Sequence, residues 1–456
     1  MKSLITLTTL CLMTTVNASV VAIMDTGTDI SHKDFTSKVW TNKKEVAGST
    51  IDMDGSGLPG DVNGWDFTEG SAKVFNDKYN YLVNADVIKF YAVYAKYELK
   101  TINQSEFSWL KGKVNDAKFM NQANFVGGYA HGTHVGGVSA LNNPKAEIMS
   151  LKILPTVYEE AVVAVSPLTG ELAAPKMTIE EYKEEVIKYG EEQISEMLGL
   201  SGYLNFHKVD VVNQSFGIGY EAAVGFIGNG FIESVGRAAS EAELKELVAL
   251  FFDTIDRVGP EMFKVAPNTL FVIAAGNDSS NNDAFFDFPA NIQAANKIVV
   301  AASLGYSELA EFSNYGAQTV DVAAPGVAVQ STAPNQFYVH MSGTSQAAPY
   351  VTNIIALMKD LNPALNAAEI KSIVFGTVDV KSWLKGKVST SGIVNKARAL
   401  KAAELAKTTT VVKAIAKAKV EIADVAVTKS FVGKRSANMK LSIKPIMPSL
   451  LVKKSL

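Results

Sequence analysis

Three residues of the sequence have the side-chain types that nucleophilic hydrolysis of an amide requires. Asp25 ends an apolar run, His131 opens a segment rich in small residues, and Ser345 opens another. Such hydrolysis needs a nucleophile, a base that takes its proton, and a carboxylate that orients the base. A fourth residue, Asn277, follows Ala274-Ala275-Gly276 and carries an amide that can donate to a developing oxyanion. The four together indicate acyl-transfer chemistry.

The elements that must position these residues are apolar runs alternating with helical patterns. The first run is residues 20–24, and further β-branched runs lie at 148–154, 209–212, 270–274 and 298–302. Helical patterns lie at 76–100, 178–198, 241–257, 345–361, 367–375 and 395–406. This alternation predicts an α/β fold, a doubly wound and mainly parallel sheet flanked by helices. In such a fold the carboxyl ends of strands and the starts of helices meet at one edge, where the catalytic groups are expected.

The composition is that of a globular protein with a large core. Of 456 residues, 47% are hydrophobic and 20% are charged, which excludes a wholly disordered chain. The formal net charge of −3 gives no global attraction to nucleic acid. The single cysteine, Cys11, can form neither an internal disulfide nor a structural zinc site.

Residues 1–18 have the pattern of a secretory signal peptide. Lys2 is followed by an apolar stretch, and Val16-Asn17-Ala18 is a small-residue cleavage site. No later stretch holds eighteen apolar residues without charge, so no membrane span is expected. The prediction is therefore a secreted or periplasmic protein.

The four chemical segments together resemble the motifs of the subtilisin-like serine proteases (subtilases, peptidase S8 family). Further segments that resemble this family are 212–217, 288–291, 309–316, 321–326 and 392–400. The resemblance covers about 20–70, 129–154, 209–217 and 268–405, which leaves insertions near 71–127, 155–205 and 218–266. It implies a peptidase domain at 19–405, followed by a basic C-terminal extension at 406–456.

The resemblance also implies a role for each residue. Ser345 would attack the scissile carbonyl, His131 would act as general base and then general acid, and Asp25 would orient the imidazole. The Asn277 side chain and the Ser345 backbone N–H would bind the oxyanion. The residues expected to bind substrate are Ser215, Phe216, Gly217, Ala274, Ala275 and Gly276. The expected partners are protein or peptide substrates of a monomeric endopeptidase that needs no cofactor for its chemistry.

Two other functions remain open at this point. One is a dedicated processing protease for a single partner, and the other is a non-catalytic binding module on the same fold. The intact set of catalytic residues argues against the binding module. The insertions lie between the motifs that frame the cleft, so we expect them to shape its rims.

Two further polar features have both a structural and a functional interpretation. His134 follows His131 by three residues, and we expect a packed structural histidine rather than a metal ligand or a second catalytic group. Asp52 and Asp54 alternate with other residues as in the first half of an EF-hand loop, and Asp61 lies close by. The twelfth position lacks the bidentate glutamate, so the choice is between a structural calcium site and a solvated turn.

The two ends of the chain carry separate expectations. From 407 onward eleven lysines and arginines face two acidic residues. This pattern indicates a solvated or weakly folded extension rather than a contact with nucleic acid or membrane. At the other end only Ser19 to Met24 separate the cleavage site from Asp25, which leaves no space for a pro-region. We therefore expect a chain that begins at Ser19 to refold to an active enzyme without added factors.

Overall fold

Each of the five predicted apolar runs overlaps a strand of the protein, and seven further strands in the part of the chain that the structure describes lie outside these runs. The computed structural model describes residues 18–158, 177–427 and 441, so the predicted signal peptide lies outside the described residues except for Ala18. The strands in these ranges are β1 (Val20–Asp25), β2 (Gly64–Asp66), β3 (Glu147–Lys152), β4 (Val211–Gln214), β5 (Leu270–Ala274), β6 (Lys297–Leu304), β7 (Glu308–Leu309), β8 (Val322–Pro325), β9 (Val329–Ala333), β10 (Phe337–Met341), β11 (Asp379–Val380) and β12 (Gly392–Ile393).

Ten of these strands form one central sheet. Its order is β11-β12-β8-β6-β5-β4-β1-β3-β2, with β7 paired to β6. The pairs along its centre are parallel, and antiparallel pairing in this sheet is confined to β7 with β6 and β11 with β12. Strands β9 and β10 form a separate antiparallel hairpin. The prediction of a doubly wound, mainly parallel sheet is confirmed.

Helices cover both faces of this sheet. The helices of the described ranges, of which some pack on the hairpin or on other helices instead, are α1 (Ala85–Glu98), α2 (Gln104–Val114), α3 (Ala117–Tyr129), α4 (His131–Ser139), α5 (Ile179–Phe206), α6 (Tyr220–Val235), α7 (Glu241–Val258), α8 (Pro260–Val265), α9 (Thr344–Leu361), α10 (Ala367–Gly376), α11 (Lys396–Leu405) and α12 (Val411–Glu421). The capping box predicted at Thr178 and Glu181 is present at the start of α5. Strand β1 has apolar partners on both sides: Val21 and Ile23 join the cluster that contains α4 and α9, whereas Ala22 and Met24 join the cluster that contains α5 and α7.

The insertions occupy two different places. Helices α5 to α8, from the second and third insertions, belong to the core on one face of the sheet. Helices α1 to α3, from the first insertion, enclose a third apolar cluster that also contains Val339 and Met341 of β10. The first insertion therefore packs against the hairpin that leads directly into α9.

The C-terminal extension is folded as far as it is described. Helix α12 packs on α10 and α11. The buried Arg398 of α11 donates to Asp379 at 3.0 Å, to Asp424 at 2.9 Å and to the carbonyl of Ile422. The expectation of a solvated or weakly folded extension is thus wrong for residues 407–427, because these ion pairs and the alanines of α12 fix that segment to the domain. The rest of the extension lies outside the described residues except Leu441.

Candidate active site

Asp25 and His131 meet where the end of β1 touches the start of α4. The His131 Nδ1 atom lies 2.8 Å from Asp25 Oδ1 and 2.9 Å from Oδ2, and both side chains are buried. The Thr26 backbone N–H donates to the same carboxylate at 2.7 Å. A carboxylate only accepts, so Nδ1 carries the proton and Nε2 of the neutral ring is an acceptor. That Nε2 atom is buried and has no hydrogen-bond partner among the described residues.

Ser345 is the second residue of α9, so its backbone N–H has no acceptor within the helix. The Ser345 side chain is buried, and its Oγ donates to the Ser215 carbonyl at 3.2 Å rather than to His131. Hydrogen bonds of catalytic groups in free enzymes commonly form only when substrate is bound. A rotation about the Cα–Cβ bond of Ser345 releases the hydroxyl from Ser215.

Asn277 follows β5 and presents its amide to the start of α9. Its Oδ1 accepts from both the backbone N–H and the hydroxyl of Thr344, each at 2.9 Å. These two bonds fix the orientation of the amide, so the buried Nδ2 is the donor without a partner among the described residues. A Cβ on Gly343 would lie 3.2 Å from this Nδ2, which places the donor beside the loop that leads to Ser345.

The six residues expected to bind substrate flank the same edge of the sheet. Ser215, Phe216 and Gly217 follow β4, Ala274 ends β5, and Ala275 and Gly276 follow it. The Ser215 hydroxyl donates to the carbonyl of Ser345 at 3.0 Å, which ties this segment to α9. The Phe216 side chain is fully buried in the core, so only its backbone is available to a substrate.

Two polar residues at this edge of the sheet were not predicted from the sequence as part of the site. Glu98, the last residue of α1, accepts a hydrogen bond from the Ser342 hydroxyl three residues before Ser345. Gln346 follows Ser345, and both polar atoms of its buried amide lack partners among the described residues. The position of Gln346 next to Ser345 was a usable signal, whereas nothing in the sequence places Glu98 there.

His134 is a packed side chain. It is fully buried, and its Nε2 lies 2.9 Å from the carbonyl of Val329. Burial lowers the pKa of His134 to about 3, so the ring is neutral. This agrees with the structural interpretation of His134.

The acidic loop brings together a set of carboxylates that differs from the predicted one. Oxygens of Glu45, Asp52 and Asp54 lie within 4.8 Å of one another, which suits a hard cation that prefers oxygen ligands. The Asp61 Oδ2 instead accepts from the hydroxyl of Tyr203 at 2.7 Å. Asp61 is buried beneath the loop and does not belong to the group of three.

No helix among the described residues is long and apolar enough to cross a membrane.

Comparisons with known proteins give similar sequences over parts of the chain. It is 40% identical to the alkaline elastase YaB of Bacillus sp. (strain YaB) over 107 residues, which are 24% of this chain and 27% of the elastase. It is 36% identical to subtilisin BL of Lederbergia lenta over 126 residues, which are 28% of this chain and 44% of the subtilisin. The chain thus matches less than half of the length of either relative.

A solved structure and a family profile extend the comparison over more of the chain. The crystal structure of a cold adapted subtilisin-like serine proteinase covers 83% of this chain and 88% of its own, at 16% identity and a TM-score of 0.40. The profile of the Subtilase family matches residues 17–408, a range that includes Asp25, His131, Asn277 and Ser345. Because this match spans most of the sequence, the chain belongs to the Subtilase family.

Proposed function

We propose that this protein is a serine endopeptidase that hydrolyses peptide bonds through an acyl-enzyme on Ser345. The observation that carries the proposal is the buried pair of Asp25 and His131. It leaves the imidazole Nε2 without a partner among the described residues, on the same edge of the sheet as Ser345. A neutral imidazole whose second nitrogen is held by a carboxylate is suited to act as a general base.

The reaction begins with the transfer of the Ser345 proton to Nε2 of His131. The Oγ atom then forms a bond to the scissile carbonyl carbon, and the Asp25 carboxylate stabilises the imidazolium that results. Collapse of the tetrahedral intermediate breaks the C–N bond, and the leaving amine takes the proton from Nε2. A water molecule, deprotonated by the same nitrogen, then hydrolyses the acyl-enzyme.

The oxyanion of each tetrahedral intermediate would be bound by two donors. The Asn277 Nδ2 is held by the contacts of Oδ1 with Thr344, so it needs no reorganisation when the charge develops. The second donor is the Ser345 backbone N–H at the start of α9, where the helix dipole favours negative charge. An extended substrate would pair with the backbone of 215–217 as an added strand.

We also propose that the protein is exported. The motivating observation is the signal-peptide pattern of residues 1–18. One of the relatives, 35% identical over 147 residues, is named an extracellular protease of Xanthomonas campestris.

Labelling by a fluorophosphonate separates the endopeptidase from the non-catalytic binding module. We expect the probe to attach to Ser345, because the reaction needs a nucleophile activated by His131. Mass spectrometry of the labelled peptide identifies the site, and Ser345→Ala should abolish the label. Ser389→Ala, at an exposed serine, is the matched control and should label normally. A folded protein that takes no label, or takes it at another serine, would contradict the proposal.

Substitution of Asn277 tests the oxyanion site. Asn277→Ala should lower kcat by roughly two to three orders of magnitude with little change in KM, the usual cost of losing one such donor. Steady-state kinetics on one peptide substrate measures both constants, with Asn281→Ala on the following loop as the control. A loss confined to KM would mean that Asn277 binds the ground state of the substrate instead.

A calcium site at Glu45, Asp52 and Asp54 is a separate proposal. The ion would bind only the native state, so calcium at a hundred times its dissociation constant should raise Tm by roughly 3 °C over Tm in chelator. Calorimetry measures the difference. Asp54→Ala should remove it, whereas Asp61→Asn should retain it, because Asp61 lies outside the group of three. Identical melting curves with calcium and with chelator would mean that the loop is a solvated turn that binds no calcium.

A further inference from the structure

A small pocket with acidic residues in its lining lies beside the proposed oxyanion site. Its volume is about 160 Å³, and it lies between the segment 219–221 and the loop 278–287. Its wall contains three aromatic residues and its polar lining is mainly acidic or amide. The residues that matter here are Tyr220, Phe285, Phe286, Asp278, Asn282 and Asp287.

Asp287 is a buried carboxyl that forms no ion pair with any lysine, arginine or histidine of the described residues. Asp287 is only 3% exposed, and its Oδ1 atom has no hydrogen-bond partner among the described residues. The other oxygen, Oδ2, has the Asn314 amide at 3.5 Å. Burial raises the pKa of Asp287 well above its ordinary value, and the Asp278 carboxylate adds to the increase. A cation bound next to this carboxyl would favour its charged form and so lower the raised pKa.

Asn282 supplies a second acceptor to the same pocket. It is 1% exposed, and its Nδ2 donates to the carbonyl of Ala275 at 2.8 Å. This bond fixes the orientation of the amide, so the atom without a partner is the acceptor Oδ1. Two buried acceptors that lack donors are costly unless a ligand with several N–H groups satisfies them.

The position of the pocket connects it with the reacting bond. A Cβ on Gly276, the residue before Asn277, would lie 2.7 Å from Oδ2 of Asp287. A Cβ on Gly219 would lie 3.0 Å from Oδ2 of Asp278 and 3.4 Å from Oδ2 of Asp287. The two carboxylates therefore face one space, beside the two segments expected to bind substrate. In a substrate whose carbonyl is bound between Ser345 and Asn277, the side chain of the residue that carries this carbonyl, here called P1, would lie next to this space.

We propose that the protein cleaves peptide bonds after arginine or lysine, with the P1 cation bound by Asp287 at the base of the pocket and by Asp278 at its rim. The inference rests on the proposed endopeptidase function and names its substrate class. The methylene stem of either side chain packs on the aromatic wall, while its N–H groups reach the acceptors of Asp287 and Asn282.

An aromatic or aliphatic P1 side chain fits the same pocket less well. Tyr220, Phe285 and Phe286 would suit its apolar surface, but it would leave the already buried acceptors of Asp287 and Asn282 without a donor. Sites with buried polar groups reject ligands that leave those groups unpaired. The preference for a basic P1 side chain is therefore determined by the acceptors at the base of the pocket and not by its aromatic walls.

Quenched-fluorescence peptides that differ only at P1 test the inference. With Arg, Lys, Phe, Leu and Glu at P1, kcat/KM for Arg or Lys should exceed that for Phe or Leu by at least about thirtyfold. Asp287→Asn should lower kcat/KM for the Arg peptide by a similar factor and leave that for the Phe peptide unchanged or higher. Asp253→Asn, which removes the charge of an exposed aspartate on α7, is the matched control and should change neither.

A binding measurement keeps the test independent of turnover and of the folding of the variant. Benzamidine should raise the Tm of the Ser345→Ala protein, and adding Asp287→Asn should remove that increase. Cleavage that favours Phe or Leu, or a Tm that does not respond to benzamidine, would overturn the inference while the endopeptidase proposal stands. A protein that cleaves none of the peptides and takes no fluorophosphonate label would instead remove the proposed function, and the inference with it.

Discussion

The contact between Asp25 and His131 depends on how closely the start of α4 approaches the end of β1. A Cβ on Gly132 would lie 2.4 Å from the carbonyl oxygen of Gly27, so no other residue allows this approach without a shift of the backbone. Gly27 itself has φ +98°, and a Cβ there would lie 2.6 Å from the carbonyl of Val74. The sequence Asp-Thr-Gly and the glycine after His131 are therefore requirements of one buried hydrogen-bonded pair.

Hydrogen bonds connect helix α9, which carries Ser345, to the end of α4 on one side and to Ser215 on the other. Asn353 of α9 donates to the carbonyls of Ser139 and Leu141 at the end of α4, each at 2.9 Å. The Ser215 hydroxyl holds the first turn of α9 from the opposite side, and Glu98 of the first insertion bonds to the loop before it. Ser345, His131 and the segment 215–217 thus belong to one packed unit, and Glu98 of the first insertion contacts it.

Five adjacent strands of the sheet and six of the twelve helices in the described ranges were predicted from the sequence, because these elements have regular apolar patterns. Helix α6 was missed because Gly225, Gly228 and Gly230 weaken its local propensity, and packing against α5 and α7 compensates. The four residues that we propose act in catalysis could be selected from the sequence because each lies in a short local motif. The acceptors at Asp287 and Asn282 were not, because their lack of donors depends on distant segments.

Replacing Asp25 by asparagine tests the central claim, that the buried carboxylate sets the proton position on His131. Asn is nearly isosteric, but it can donate to Nδ1 and so favours the wrong tautomer of the ring. Kinetics of purified Asp25→Asn, with its melting temperature as a check on folding, should give a kcat lower by about four orders of magnitude. A folded variant with kcat within tenfold of the unsubstituted protein would contradict the account.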